Sequence, residues 1–120
     1  MAPSAALPTP LPLPLLESVA ERFQLLSDLT RLRLVNELHA HGELTVGELV
    51  QRLGISYATA SKQLTMLRAH RTIARRREGT RVFYRIIDPS LEEVCAVVCS
   101  ALREHWVAWG ADLEHAVEDR

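Results

Sequence analysis

The chain has 120 residues, 48% hydrophobic and 24% charged, with a formal net charge of -1. That length supports one domain with a modest core and leaves no room for a second. No apolar run approaches membrane-spanning length and the opening lacks the basic start of a secretory signal, so a cytoplasmic protein with no membrane partner is expected. Residues 1–14 hold five of the six prolines, which stops helix propagation and predicts a disordered or polyproline II tail. The folded domain is expected over 15–120. Its first helix is predicted at Leu15 to Leu26. A second runs from about Leu29 to Ala40, with Ser27 or Asp28 as N-cap and Gly42 just past its end. Leu29, Leu32, Leu34, Val35 and Leu38 are its expected core positions, and Glu43 and Leu44 read as a linker.

Thr45 to His70 then reads as two short helices broken by Gly54. Thr45 with Glu48 three residues on has capping-box spacing. In the second helix Ile55, Ala60, Leu64 and Leu67 recur at helical spacing and are expected to face the core. Ser56, Tyr57, Thr59, Ser61, Lys62 and Gln63 are left for another use. These are donors and acceptors of the kind that meet base edges and phosphates in a major groove. On these residues alone, a solvated face of an ordinary helical domain explains them equally well.

The next segment favours the nucleic-acid reading. Ile73 to Arg77 and Arg81 to Ile87 flank Glu78-Gly79-Thr80 and predict a β-hairpin. Its second strand alternates Val82, Tyr84 and Ile86 with Arg81, Phe83 and Arg85. Between Gln51 and Arg85 there are nine basic residues against one acid, Glu78, so this window carries +8 while the whole chain carries -1. A segregated cation patch is what phosphate binding needs. Cations on an edge strand also block aggregation, but four arginines in the seven residues from Arg75 to Arg81 exceed that need. Expected phosphate contacts are Lys62, Arg68, Arg75, Arg76, Arg77 and Arg81.

Asp88-Pro89-Ser90 stops the strand and opens a last helix, expected from about Ser90 to Val117, with Gly110 able to bend or end it. Its apolar stripe is Leu91, Val94, Cys95, Val98, Leu102, Trp106, Trp109 and Leu113. That is more apolar area than a small core absorbs, and pairing with a second copy, together with the first helix, would cover it.

The segments LLSDLTRLRLVNEL, ELTVGELVQRLGISYATASKQLTML and RRREGTRVFYRIIDPSL together resemble the ArsR/SmtB family of bacterial winged-helix repressors, over about residues 17–105. The fold class is then mainly α with a small β-hairpin: a winged helix-turn-helix dimerised through its first and last helices. The resemblance implies a homodimer on a palindromic double-stranded DNA operator. Its reader helix would span about 56–69, its wing 73–87 and its dimerisation helix 90–117. It also implies an inducer, often a transition metal ion such as nickel or zinc.

The inducer is where the chain departs from the family pattern. The Cys-x-Cys run of arsenic and cadmium sensors falls here on Thr45 and Gly47. The last-helix site of zinc, cobalt and nickel sensors falls on Asp88, Ser90, Ala101 and Glu104. Two carboxylates remain and both imidazoles are gone, a poor set for nickel or zinc. Cys95 and Cys99, one helical turn apart, and His105 are further candidate ligands. The cysteines could instead oxidise, or be small hydrophobes on the stripe. His39, His41 and His115 are expected to be exposed, and His70 to touch phosphate or cap a carbonyl. Sensing could therefore be metal-based, cysteine redox-based, or delivered by a protein co-regulator. A winged helix serving only protein interaction is the alternative from another class. No nucleophile, base and acid cluster and no phosphate-binding glycine loop is visible, so an enzyme is not expected.

Overall fold

The computed structural model describes Leu7 and residues 9–108. Five helices and three short strands follow in the order α1 (Leu13–Leu26), α2 (Leu29–His41), β1 (Glu43–Thr45), α3 (Val46–Leu53), α4 (Tyr57–Ala69), β2 (Ile73–Glu78), β3 (Arg81–Ile86) and α5 (Ser90–Ala108). The expected extension of α5 to Val117, with Trp109, Leu113, His115 and the side chain of Trp106, lies outside the described residues.

Local chemistry explains most boundaries. Helix α1 starts at Leu13, inside the stretch expected to be tail, because Pro14 falls in its first turn where a backbone N–H has no intrahelical partner. Asp28 caps α2, its carboxylate accepting the Arg31 N–H at 3.0 Å. Thr45 and Glu48 form both halves of the capping box on α3. Gly54 ends α3 in the left-handed region at φ 65°, which a side chain would strain. Helix α4 ends on a Schellman motif: Thr72 N–H donates to Leu67 O, Arg71 N–H donates to Arg68 O, and Arg71 holds φ 59°.

Two sequence expectations are corrected. Glu43 and Leu44 are not a linker but strand β1, which pairs antiparallel with β3 (Glu43 with Arg85, Leu44 with Tyr84, Thr45 with Phe83), so the hairpin gains a third strand in the order β1-β3-β2. Three residues are too short to show a period, and β3 supplies the edge that defines them. Leu29 is 66% exposed rather than core; it is the first residue of α2, and its turn projects beyond the packed face.

Leu34 and Leu38 of α2, Leu49 of α3, Leu64 and Leu67 of α4, Ile73 and Leu91 are all fully buried, with Ala60 and Tyr84 in the same cluster. Each buried leucine contributes about 2 kcal/mol. The 82-84-86 alternation places Tyr84 in the core and Arg81 and Arg85 outside, as the sequence predicts. Thr72, the buried polar residue of this region, donates its hydroxyl to Leu67 O at 2.7 Å while its carbonyl accepts from Ile87 and Asp88 N–H. The end of α4 is thereby tied to the start of α5.

Candidate nucleic-acid interface

Helix α4 buries Ala60, Leu64 and Leu67. At about 100° per residue the opposite direction is that of Ala58, Lys62, Thr65 and Ala69, all exposed. Of the predicted reader residues, Lys62 lies in the centre of this outward face. Tyr57, Ser61 and Arg68 line one flank, Tyr57 at 63% exposure. Thr59 and Gln63 lie on the other. Thr65 and Ala58 were not among the predicted residues, although the 58-62-65-69 spacing was present in the sequence opposite the 60-64-67 core set.

Several predicted reader side chains already hold local bonds. Ser56 is the N-cap of α4: its Oγ accepts the Thr59 N–H at 3.0 Å and donates to Thr59 Oγ1 at 2.8 Å. Gln63 Oε1 accepts from Arg31 Nη1 at 2.9 Å. Arg31 also donates through Nε to Leu25 O and through Nη2 to Gln24 O, so one guanidinium on α2 joins the end of α1 to the reader helix. Ser61 is half-buried, and its carbonyl accepts the Thr65 hydroxyl.

The hairpin register divides the wing arginines between two faces. Arg75 and Arg77 stand opposite Tyr84 and Val82, on the side turned toward the core, yet both extend into solvent. Among the described residues neither guanidinium has a hydrogen-bonding or ion-pair partner. Arg76 stands opposite Phe83 on the other face. Its Nε donates to both oxygens of Glu43 at 3.0 and 2.9 Å, and its Nη1 to Glu78 at 2.7 Å. Its guanidinium carbon sits 4.5 Å from the Phe83 ring centre. The hydrogen bond from Arg76 is the largest influence holding the Glu43 carboxyl below its ordinary range. Arg81 also stacks on Phe83, at 4.9 Å, and its Nη2 lies 3.7 Å from Glu48. Tyr57, Thr80, Arg81 and the start of α3 at Val46 and Gly47 line a polar notch between wing and reader helix.

The candidate metal ligands are spread along α5 rather than gathered. Asp88 Oδ2 accepts from Arg22 Nη1 at 2.5 Å and its Oδ1 accepts the Ser90 N–H. Cys95 is half-buried and Cys99 exposed, both as free thiols. Burial, with Cys99 nearby, pushes the Cys95 thiol up, away from the thiolate a metal needs. Glu104 and His105 follow beyond. Among the described residues no three His, Cys, Asp or Glu side chains come together to hold an ion. The described residues of a single chain therefore do not assemble a nickel or zinc centre.

A solvent-facing helix in a helix-turn-helix, flanked by a hairpin with unpaired arginines, defines a winged-helix DNA-binding regulator. The MarR family model matches residues 26–81, from the end of α1 to the wing. The transcriptional repressor PagR of Bacillus anthracis is 33% identical over 79 residues, covering 66% of this chain and 79% of that protein. The winged helix-turn-helix domain Mb0332 of Mycobacterium bovis, described as homodimeric and possibly of the ArsR family, is 34% identical. It superposes with a TM-score of 0.68 over 77% of this chain and 84% of that one. The antimony-specific repressor AntR superposes with a TM-score of 0.76 at 28% identity, covering 88% of this chain and 95% of that one. The chain belongs to the ArsR/SmtB family of winged helix-turn-helix transcriptional regulators. It is a DNA-binding regulator, and its relatives are regulators rather than enzymes. Among the described residues no helix is long and apolar enough to cross a membrane.

Proposed function

We propose that the protein is a homodimeric repressor that reads a palindromic operator with the outward face of α4. Lys62 and Thr65 lie at the centre of the contact and Tyr57 and Ser61 on its flank. Arg68, Arg75, Arg77 and Arg81 meet phosphates, while Arg76 keeps the wing in shape. The observation that carries this reading is the uncommitted state of Lys62, Arg75 and Arg77. These cations are exposed beside a polar helix face, while Arg76 next to them is neutralised by Glu43 and Glu78. Unpaired cations on a rigid scaffold release counterions from DNA at no cost in broken ion pairs.

Dimerisation through α1 and α5 is supported by an open apolar groove of about 500 Å³ lined by Phe23, Leu26, Leu32, Val94, Val98 and Leu102. Leu26 is buried, whereas Phe23, Val98 and Leu102 are each about half exposed in the single chain. A palindromic site presents its half-sites about one DNA turn apart, about 34 Å, and a symmetric pair of reader helices has to match that spacing. The raised Cys95 thiol disfavours a redox switch at that residue. Nothing among the relatives supports a protein co-regulator.

Titration of the purified chain on a duplex from upstream of its own gene, at several salt concentrations, tests the reading. Saturable binding is expected, with a log–log salt slope that falls by about one for each of Lys62→Ala and Arg77→Ala. Absence of binding, or slopes indifferent to both substitutions, would favour a winged helix that serves only protein contacts.

A further inference from the structure

Arg22 reaches from α1 to the start of α5. Its Nη1 donates to Asp88 Oδ2 at 2.5 Å and to Ser90 Oγ at 2.7 Å, and the three side chains are part-buried together. Asp88 Oδ1 accepts the Ser90 N–H at 2.9 Å, so the same carboxylate also caps the first turn of α5. Asp88 and Ser90 are the two residues at the start of the last helix that fall in register with the family's metal positions. Here they already hold a cation, and it is part of the chain.

We propose that Arg22 is a built-in substitute for a last-helix metal ion. Its guanidinium fills the place between Asp88 and Ser90 and clamps α1 to α5 permanently, so nickel and zinc do not switch DNA binding through this site. The inference rests on the DNA-regulator reading above and says how that regulator is not controlled.

A divalent ion entering here would expel the guanidinium and leave it part-buried without its carboxylate, a costly state. In return it would gain one carboxylate and one neutral hydroxyl, hard oxygens that nickel and zinc favour little over water. The other two positions of the pattern do not help. Ala101 has no donor atom, and Glu104, from either copy of the paired helix, would add only one more hard carboxylate oxygen. Arginine, by contrast, carries a permanent charge and several donors, which suit a carboxylate and a hydroxyl side by side.

The clamp also has a place in the architecture. In α1 the buried residues are Leu25 and Leu26, at its C-terminal end. Arg22 lies one turn earlier and extends the anchored part of the helix by that turn. Phe23, its neighbour, lines the apolar groove with Val94 and Val98. Fixing Arg22 to Asp88 thus fixes how α1 presents Phe23 beside α5.

The test uses the full, metal-stripped chain. Nickel(II) and zinc(II) are each titrated alone in competition with a chromophoric chelator, and DNA affinity is measured by fluorescence anisotropy with and without each metal. The expected result is no stoichiometric metal retained and a DNA affinity unchanged within about twofold. Arg22→Gln and Asp88→Asn are each expected to speed amide exchange in α1 by about tenfold while α3 and α4 keep their protection. The double variant is expected to be no worse than either single one, as for two members of one interaction. Retention of an equivalent of either metal by the unaltered chain, with a shift in DNA affinity lost in Asp88→Asn, would overturn the proposal, as would single effects that simply add. Should the variants not fold, the chelator competition on the unaltered chain decides. Failure to bind DNA would sink the regulator reading while leaving that competition interpretable.

Discussion

Arg76 on β2 reaches across the whole of β3 to Glu43 on β1, passing over the Phe83 ring and donating to both carboxylate oxygens. With Glu78 at its other nitrogen, this guanidinium ties the three strands of the wing together on one face. Arg76→Ala is therefore expected to lower the melting temperature while changing the salt slope of DNA binding little. Arg77→Ala is expected to do the reverse, leaving the melt unchanged and cutting the slope by about one. Thermal melts and salt titrations on the two variants distinguish these outcomes, and equal loss of slope in both would show that Arg76 leaves Glu43 to meet phosphate.

At the centre of the α4 face, Thr65 is exposed and on the same side as Lys62. Thr65→Val keeps the shape and removes the hydroxyl. Its proton goes to Ser61 O, so the oxygen is left to meet a base edge as an acceptor, and on its loss discrimination against a single changed base pair is expected to fall by about 1–3 kcal/mol with the salt slope preserved. Competition binding against a panel of single-base operator variants measures it.

Arg71 occupies the left-handed position of the Schellman motif that ends α4, at φ 59°, where glycine is favoured. Arg71→Gly is expected to remove a backbone strain of about 1 kcal/mol, partly offset by the greater freedom of the unfolded chain. Chemical denaturation should thus show stability equal to or slightly above that of the unaltered chain. A clear loss would mean that the Arg71 side chain contributes contacts of its own.

Acid sensitivity follows from three carboxylates. Glu43 is held below its ordinary value of 4.5 by the hydrogen bond from Arg76, and Glu48 below 4.5 by the Thr45 N–H and hydroxyl. Desolvation works the other way at Asp88, but the Ser90 hydrogen bonds and the Arg22 ion pair outweigh it and keep the carboxyl below 3.8. A carboxyl depressed in the folded state contributes stability that is fully present above its unfolded value. That contribution is lost as pH falls through the folded value. Melting temperature is expected to be level on this account above about pH 5 and to fall below about pH 4, with a smaller fall in Asp88→Asn. Melts across that range check the sign.

The two cysteines should differ in reactivity. Cys99 is exposed, whereas Cys95 is half-buried with its thiol pushed up by desolvation. Alkylation at neutral pH, followed by peptide mass analysis, is expected to modify Cys99 several-fold faster than Cys95. Faster reaction at Cys95 would revive the redox reading.

Sequence alone determined the features that depend on neighbours a few residues apart. The Thr45–Glu48 capping box, the Asp28 cap, the Gly54 break, the core period 60-64-67 and the 82-84-86 alternation are local, because a cap or a helical turn closes within three to five residues. The basic window was legible for the same reason: composition needs no partner. Only the tertiary structure decided which of those charges are spent. Arg76 meets Glu43, Arg31 meets Gln63 and Arg22 meets Asp88 across 33, 32 and 66 positions, and no local spacing encodes such pairings. Strand β1 existed only once β3 lay beside it. A side chain's chemistry is written in the sequence, but whether it remains available to DNA or a metal depends on what the fold has already brought within hydrogen-bonding reach.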